Sequence, residues 1–124
     1  MADYSRAIEL DPNSSEAYSQ RGWIQSRKKD YAAAWKDLDK AVELNHKNGM
    51  AWIHRGWTRQ NMKDPDAAIR EFDQSIAAEL ANFRGYFQRA DIQSLKSDFK
   101  GALKDYAQAI RLETQNGQLY HSRA

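Results

Sequence analysis

Cysteine is absent from this chain of 124 residues. That excludes disulfides and thiolate-bound metal, and it leaves the redox compartment open. No apolar run approaches the roughly 18 residues that a membrane span needs, and the opening Met-Ala-Asp-Tyr-Ser-Arg does not read as a signal peptide. Neither sign of charge is in excess: 19 Lys and Arg stand against 17 Asp and Glu, for a net charge of +2. The densest basic run is only Arg27-Lys28-Lys29, so neither a membrane nor a nucleic acid is expected as partner. A mean hydropathy of −0.90 with 29% charged residues is polar for a globule around one central core. A stack of small units tolerates it, because each unit buries only the faces that touch its neighbours.

What the chain does have is a period. Gly22, Gly56, Ala90 and Ala124 are 34 residues apart, as are Ala34, Ala68 and Ala102. Tyr18, Trp52, Tyr86 and Tyr120 keep the same step, and so do Arg21, Arg55, Arg89 and Arg123. Self-similarity at one fixed spacing marks an architecture built by stacking copies of one small unit.

Residues 15–48 serve as the reference unit. In its second half Tyr31, Ala34, Trp35, Leu38, Ala41, Val42 and Leu44 recur at helical spacing between charged residues, which predicts an amphipathic helix. The first half, around Ala17, Tyr18, Gly22 and Ile24, predicts a second helix with a thinner apolar stripe. Ser14, Asn48, Asn82 and Asn116 stand before the first helix of each unit, and Asp30, Asp64 and Asp98 before the second. These are N-cap residues in phase with the period. The small residues Gly22, Gly56 and Ala90 let helices approach closely where Ala34, Ala68 and Ala102 face them. Tyr18, Trp52 and Tyr86, with Leu38, Phe72 and Tyr106, fill the space between units.

The order of large aromatic, small residue, Asp-led turn, Ala, aromatic, Ala and Leu-Asp-Pro resembles the tetratricopeptide repeat. Tyr4-Ser5-Arg6-Ala7-Ile8-Glu9-Leu10-Asp11-Pro12-Asn13 and Ala17-Tyr18-Ser19-Gln20-Arg21-Gly22 carry the match. The resemblance implies an all-α fold, a right-handed α-solenoid of antiparallel helix pairs. It divides the chain into the second helix of a truncated repeat (1–14), three full repeats (15–48, 49–82, 83–116) and the start of a further first helix (117–124). That phase predicts a segment of a longer array. Departures are local: Pro65 replaces an aromatic, and His46, Leu80 and Thr114 replace the loop proline.

Two sets of columns are candidates for a role. Arg21, Arg55, Arg89 and Arg123 on first helices, with Asp3, Asp37, Glu71 and Asp105 on second helices, suit a structural ion-pair ladder. Two pairings fit: Arg21 with Asp37 inside a repeat, or Asp3 with Arg21 across a boundary. The second set follows from the resemblance, which implies that first helices line a concave face where ligands bind. That face holds Glu16, Ser19, Gln20, Trp23 and Arg27; then Met50, Ile53, His54, Trp57 and Gln60; then Arg84, Phe87, Gln88 and Asp91. Trp23 and Trp57 share a column that needs no apolar residue for packing. Either they form an apolar recognition strip with Met50, Ile53 and Phe87, or they stack on neighbouring helices.

The resemblance also permits an exclusion. Family members that grip acidic chaperone tails use Lys, Asn, Asn, Lys and Arg at places that here hold Ser19, Trp23, His54, Arg84 and Gln88. Only Arg84 keeps the charge. No catalytic residue, metal site or cofactor is expected, because His46, His54 and His121 lack metal-ligand spacing and no phosphate loop or nucleophile motif occurs. The expected function is a non-catalytic protein-interaction scaffold that binds a peptide or helix of a partner in the concave groove. The alternative is a structural segment of a longer solenoid, a spacer or a self-association surface. Head-to-tail contact through the truncated terminal repeats is the expected form of self-association.

Overall fold

The computed structural model of the protein describes residues 2–78 and 83–123, with side chains for 3–78 and 83–115. Seven helices follow one another: α1 (Ala2–Leu10), α2 (Ser15–Arg27), α3 (Tyr31–Leu44), α4 (Gly49–Asn61), α5 (Pro65–Ala78), α6 (Phe83–Leu95) and α7 (Phe99–Arg123). No strand occurs among the described residues. The architecture is an all-α solenoid in which α2 pairs with α3, α4 with α5, and α6 with α7.

The 34-residue period returns in the backbone. Each pair turns through one left-handed residue, Lys29, Lys63 or Ser97, with φ of 66°, 63° and 67°. The amide that follows each of them reaches back five residues: Asp30 N to Gln25 O, Asp64 N to Arg59 O and Asp98 N to Gln93 O, at 2.8–2.9 Å. This is the Schellman ending of a helix, which satisfies carbonyls that the last turn leaves open. The carboxylates that cap the next helix lie just beyond it. Asp30, Asp64 and Asp98 accept from Ala33, Ala67 and Gly101 amides, while Ser14 and Asn48 do the same for Ala17 and Ala51. Asn82 and the side chain of Asn116 lie outside the described residues.

Between units the chain turns at Asp11 and Asn45, whose side chains accept from the amides of Asn13 and Lys47. These two-residue Asx turns stop the helix. At the equivalent place within α7 stands Glu113, a good helix former that is a methylene too long for that turn. Glu79 stands at the same place between α5 and α6, whereas α7 runs through its glutamate and on to Arg123. Residues 117–123 extend α7 instead of opening a separate first helix.

Packing explains the columns. Ala34, Leu38, Ala41, Ala51, Ile53, Ala68, Phe72, Ala90, Ile92 and Ala109 are completely buried. A Cβ built on Gly22 would lie 2.8 Å from Leu38 Cγ and 3.1 Å from the Ala34 carbonyl; on Gly56 it would lie 2.4 Å from the Phe72 ring. Glycine at these two places lets the large residue of the partner helix seat against bare backbone. In the third pair the small residue is Ala90, and Tyr106 is less deeply buried than Leu38 or Phe72. First helices touch each other, α2 with α4 and α4 with α6, while α3, α5 and α7 make no mutual contact among the described residues. First helices thus line the inside of the curve and second helices splay on the outside, which makes the α2–α4–α6 surface the concave one.

Candidate functional site on the inner face

The ladder fixes how that face is presented. Arg21 binds Asp37 in a two-pronged contact, Nε to Oδ2 at 2.6 Å and Nη2 to Oδ1 at 2.8 Å. Arg89 repeats it on Asp105 at the same distances. Arg55 Nε lies 3.1 Å from Glu71 Oε2. Each arginine also reaches back to the preceding second helix: Arg55 to Asp39 at 3.0 Å, Arg89 to Asp73 at 2.9 Å, and Arg21 to the Ser5 hydroxyl at 3.3 Å. Every partner stands 16 residues before or after its arginine. Across the boundary Ser5, and not Asp3, therefore faces Arg21, because 16 residues back is two places beyond Asp3. Asp3 makes no ion pair among the described residues, and the side chain of Arg123 lies outside them.

The arginines also stack on aromatic rings. Arg21 sits over Tyr18, Arg55 over Trp35 and Trp52, and Arg89 over Tyr86, at 4.4–5.8 Å. The paired carboxylates raise the pKa of Arg21 and Arg89 further above its ordinary value. Burial pushes Glu71 up despite Arg55 and Arg59 nearby. These rungs clamp each first helix between two second helices.

On the inner face the structure separates residues that the sequence groups. Ser19, Ile53 and His54 are buried, at 2%, 0% and 2% exposure, and offer almost no surface on that face. Ile53 joins Ala68, Phe72 and Ile92 in the core, with Met50 and Trp57 packed on its edge. Ser19 Oγ and His54 Nδ1 lie 2.8 Å apart, bonding α2 to α4. Beneath them Thr58 Oγ1 lies 2.9 Å from Ser26 Oγ, a second buried polar link.

His54 is the floor of an aromatic cluster. Its ring stacks on Trp23 with centroids 5.5 Å apart and planes 6° from parallel, and Trp57 leans on both at 5.5 and 4.9 Å. The two indoles are only partly buried. Around them Glu16, Arg27, Arg84 and Asp91 are exposed, and Gln20, Gln60 and Gln88 partly so. Phe87 does not join the tryptophans. Its ring contacts are Phe83 and Tyr106, and Tyr106 donates its hydroxyl to Asp91. The apolar strip thus contracts to the Trp23–Trp57 pair inside a polar frame.

A cleft of about 300 Å³ with neither tryptophan in its wall is lined by Ser15, Glu16, Ser19, Gln20 and Met50 and also by Asn45, Lys47 and Asn48. The last three come from the turn between α3 and α4, which a helix-face pattern does not reveal. A roomier cleft of about 620 Å³ lies away from the inner face, around Trp52, His46, Lys47, Arg70 and Gln74. Among the described residues no cluster of His, Asp or Glu is arranged to hold a metal ion, and no helix is long and apolar enough to cross a membrane.

Burial between the indoles holds His54 neutral, with its pKa lowered from 6.5 to about 4. The unfolded chain takes up a proton near pH 6.5 and the folded chain only near 4. The associated stability is present above pH 6.5 and is lost as pH falls toward 4, a change on the order of 3 kcal/mol. Urea midpoints taken from about pH 7 down to about pH 4 will drop over this window, and His54→Phe will flatten the drop. An equal drop in both proteins would contradict the assignment.

The comparisons agree with this geometry. The Tetratricopeptide repeat family model matches residues 4–36, and the Protein prenyltransferase alpha subunit repeat model matches residues 31–62, which span α3 and α4. No curated protein matches in sequence. A crystal structure of MamA superposes with a TM-score of 0.79 at 23% identity over 93% of this chain. The chain spans 63% to 68% of the MamA chains. Yeast Tom70 superposes with a TM-score of 0.76 at 30% identity over 90% of this chain and 23% of its own. The second TPR of Spaghetti (RPAP3), bound to the HSP90 peptide SRMEEVD, reaches 0.72 at 13% identity over 80% of this chain and 92% of its own. Helix pairs recurring every 34 residues, Schellman turns in phase and these superpositions show a tetratricopeptide-like helical-repeat fold, and residues 4–36 match that family's own model.

Proposed function

We propose that this protein-interaction scaffold holds a peptide or helix of a partner protein on the inner face of α2, α4 and α6, anchored on Trp23 and Trp57. The observation that carries the reading is the cluster itself: two partly exposed indoles, 4.9 Å apart, backed by a buried imidazole. Rings fixed in this way lose little freedom on binding, and buried tryptophans dominate the energetics of many interfaces. The RPAP3 neighbour, bound to a peptide, supports peptide binding as a use of this fold. An acidic tail is a poor fit, because Ser19 and His54 are buried and bonded to each other where the family's clamp places charged and amide groups.

Peptides selected on the protein from a random display library supply the test. Trp23→Ala and Trp57→Ala should each weaken the selected peptides by about thirtyfold, the 2 kcal/mol of a typical hot spot. Lys104→Ala, at an exposed position on the outer helix α7, should leave Kd unchanged. Unaltered binding by both tryptophan variants would refute the groove assignment. A second reading, a structural segment acting as spacer or as a surface for head-to-tail self-association, is favoured by the uncovered side chains Phe99, Leu103 and Ile110 on α7.

A further inference from the structure

Phe99, Leu103 and Ile110 are 61%, 69% and 56% exposed, and they succeed one another at helical spacing along α7. The equivalents of Leu103 and Ile110 in the inner units are covered, whereas Pro65, at the place of Phe99, is exposed. Ile76 and Val42, at the place of Ile110, are 8% and 7% exposed. Ile69, at the place of Leu103, packs against the core. Trp35, at the same place in α3, lies under Arg55 and Arg59 of the next first helix. In both inner units the following first helix supplies the cover, α4 on α3 and α6 on α5. The stripe on α7 continues an interface that the chain has already built twice.

The course of α7 explains why its own chain leaves the stripe open. By sequence, residues 117–123 carry the first-helix pattern, with Tyr120 and Arg123 in the aromatic and arginine columns. To cover α7 they would have to fold back at residues 113–116, as α4 folds back on α3. The helix instead runs straight through that corner. At 1.5 Å per residue, Arg123 then lies roughly 20 Å from Ile110 along the axis.

We propose that α7 pairs with α7 of a second copy, antiparallel about a two-fold axis near Thr114, so that residues 117–123 of each copy cover the other's stripe around Ile110. The register follows from the inner units. Gly85 of α6 sits against Ser75 and Ile76 of α5. Moved one unit on, that contact sets residue 119 of the second copy against Ala109 and centres the pair on Thr114. Each copy gives one segment and receives one, so the assembly closes at two, unlike an open head-to-tail chain. The contacts are those of the ordinary repeat, made between molecules. This pairing is independent of the groove and its ligand.

Because the chain has no cysteine, Thr114→Cys introduces a single thiol on the proposed axis. Light scattering on the unaltered protein should find a dimer that dissociates on dilution and nothing larger. Mild oxidation should link Thr114→Cys into a dimer about tenfold faster than Leu10→Cys, whose side chain is 78% exposed on α1. Ile110→Asp, a change at a surface position, should weaken the dimer by at least about tenfold while circular dichroism stays unchanged. Glu113→Asp with Thr114→Pro restores the corner that follows α1, and should give a monomer. A monomer at all concentrations, a ladder of growing assemblies, equal linking of the two thiols, or a dimer that survives both the Ile110 and the corner variants would each overturn the proposal.

Discussion

Phe72→Ala will destabilise the protein by about 3–5 kcal/mol, the range for deleting a fully buried phenylalanine. Phe72 is completely buried and packs with Ile53, Ala68 and Ile92, which belong to α4, α5 and α6. Its ring also occupies the space left by Gly56, where an added Cβ would come within 2.4 Å. One side chain therefore joins a helix pair internally and holds it to the next unit. The surroundings cannot collapse into the gap without bending a helix, so the cavity persists and its cost adds to that of lost transfer. Gly56→Ala approaches the same contact from the opposite side and should cost about 1–3 kcal/mol through overpacking. Urea unfolding followed by circular dichroism measures both. A loss below about 1 kcal/mol for Phe72→Ala would mean that the units do not meet as described.

Arg89→Met will cost on the order of 3 kcal/mol, because it strands a carboxylate and does not merely delete a surface pair. The Asp105 side chain is only 6% exposed, and both its oxygens bind Arg89. Methionine keeps much of the aliphatic stem over Tyr86 but offers no donor, so Asp105 must stay charged without a partner or take up a proton. Arg89 also holds the more exposed Asp73, a contact that water screens and that contributes little. Adding Asp105→Asn should recover much of the loss, since the buried group is then neutral. Equal stabilities for Arg89→Met and the double variant would show that charge burial is not the cause. A loss of a few tenths of a kcal/mol would reduce the rung to an ordinary surface pair.

Most of the fold was legible because the period repeats the same physical instructions. Asp30, Asp64 and Asp98 each cap a helix, and Gly22 and Gly56 each face a large side chain, so one unit read correctly gives its neighbours. The limits of reading by column appear at His54. Its column mates Gln20 and Gln88 are partly exposed, and treating the three alike places His54 in the groove. Only at His54 do two tryptophans, Trp23 and Trp57, close over the position; the third member of their column is Asp91. Burial there comes from a neighbouring column, which a pattern along one helix cannot report. Ser19 and Ile53 lie in the seam between first helices for a related reason. Their column points toward the adjoining unit, and the direction of stacking decides whether that is groove or interior. The straight course of α7 is not legible from Glu113 alone, because Glu79 stands in the same column between the separate helices α5 and α6.

Partners are proposed to dock on the inner face at Trp23 and Trp57. The chain has four tryptophans, and the fold divides them evenly. Trp23 and Trp57 face inward, whereas Trp35 lies under Arg55 and Arg59, and Trp52 donates its indole N–H to the His46 carbonyl. Their four indole N–H resonances therefore report on both surfaces in a single nitrogen-edited NMR titration with a selected peptide. The signals of Trp23 and Trp57 should shift or broaden as the peptide is added, while those of Trp35 and Trp52 hold still. Movement confined to Trp35 and Trp52 would contradict the account and place binding on the opposite side of the solenoid.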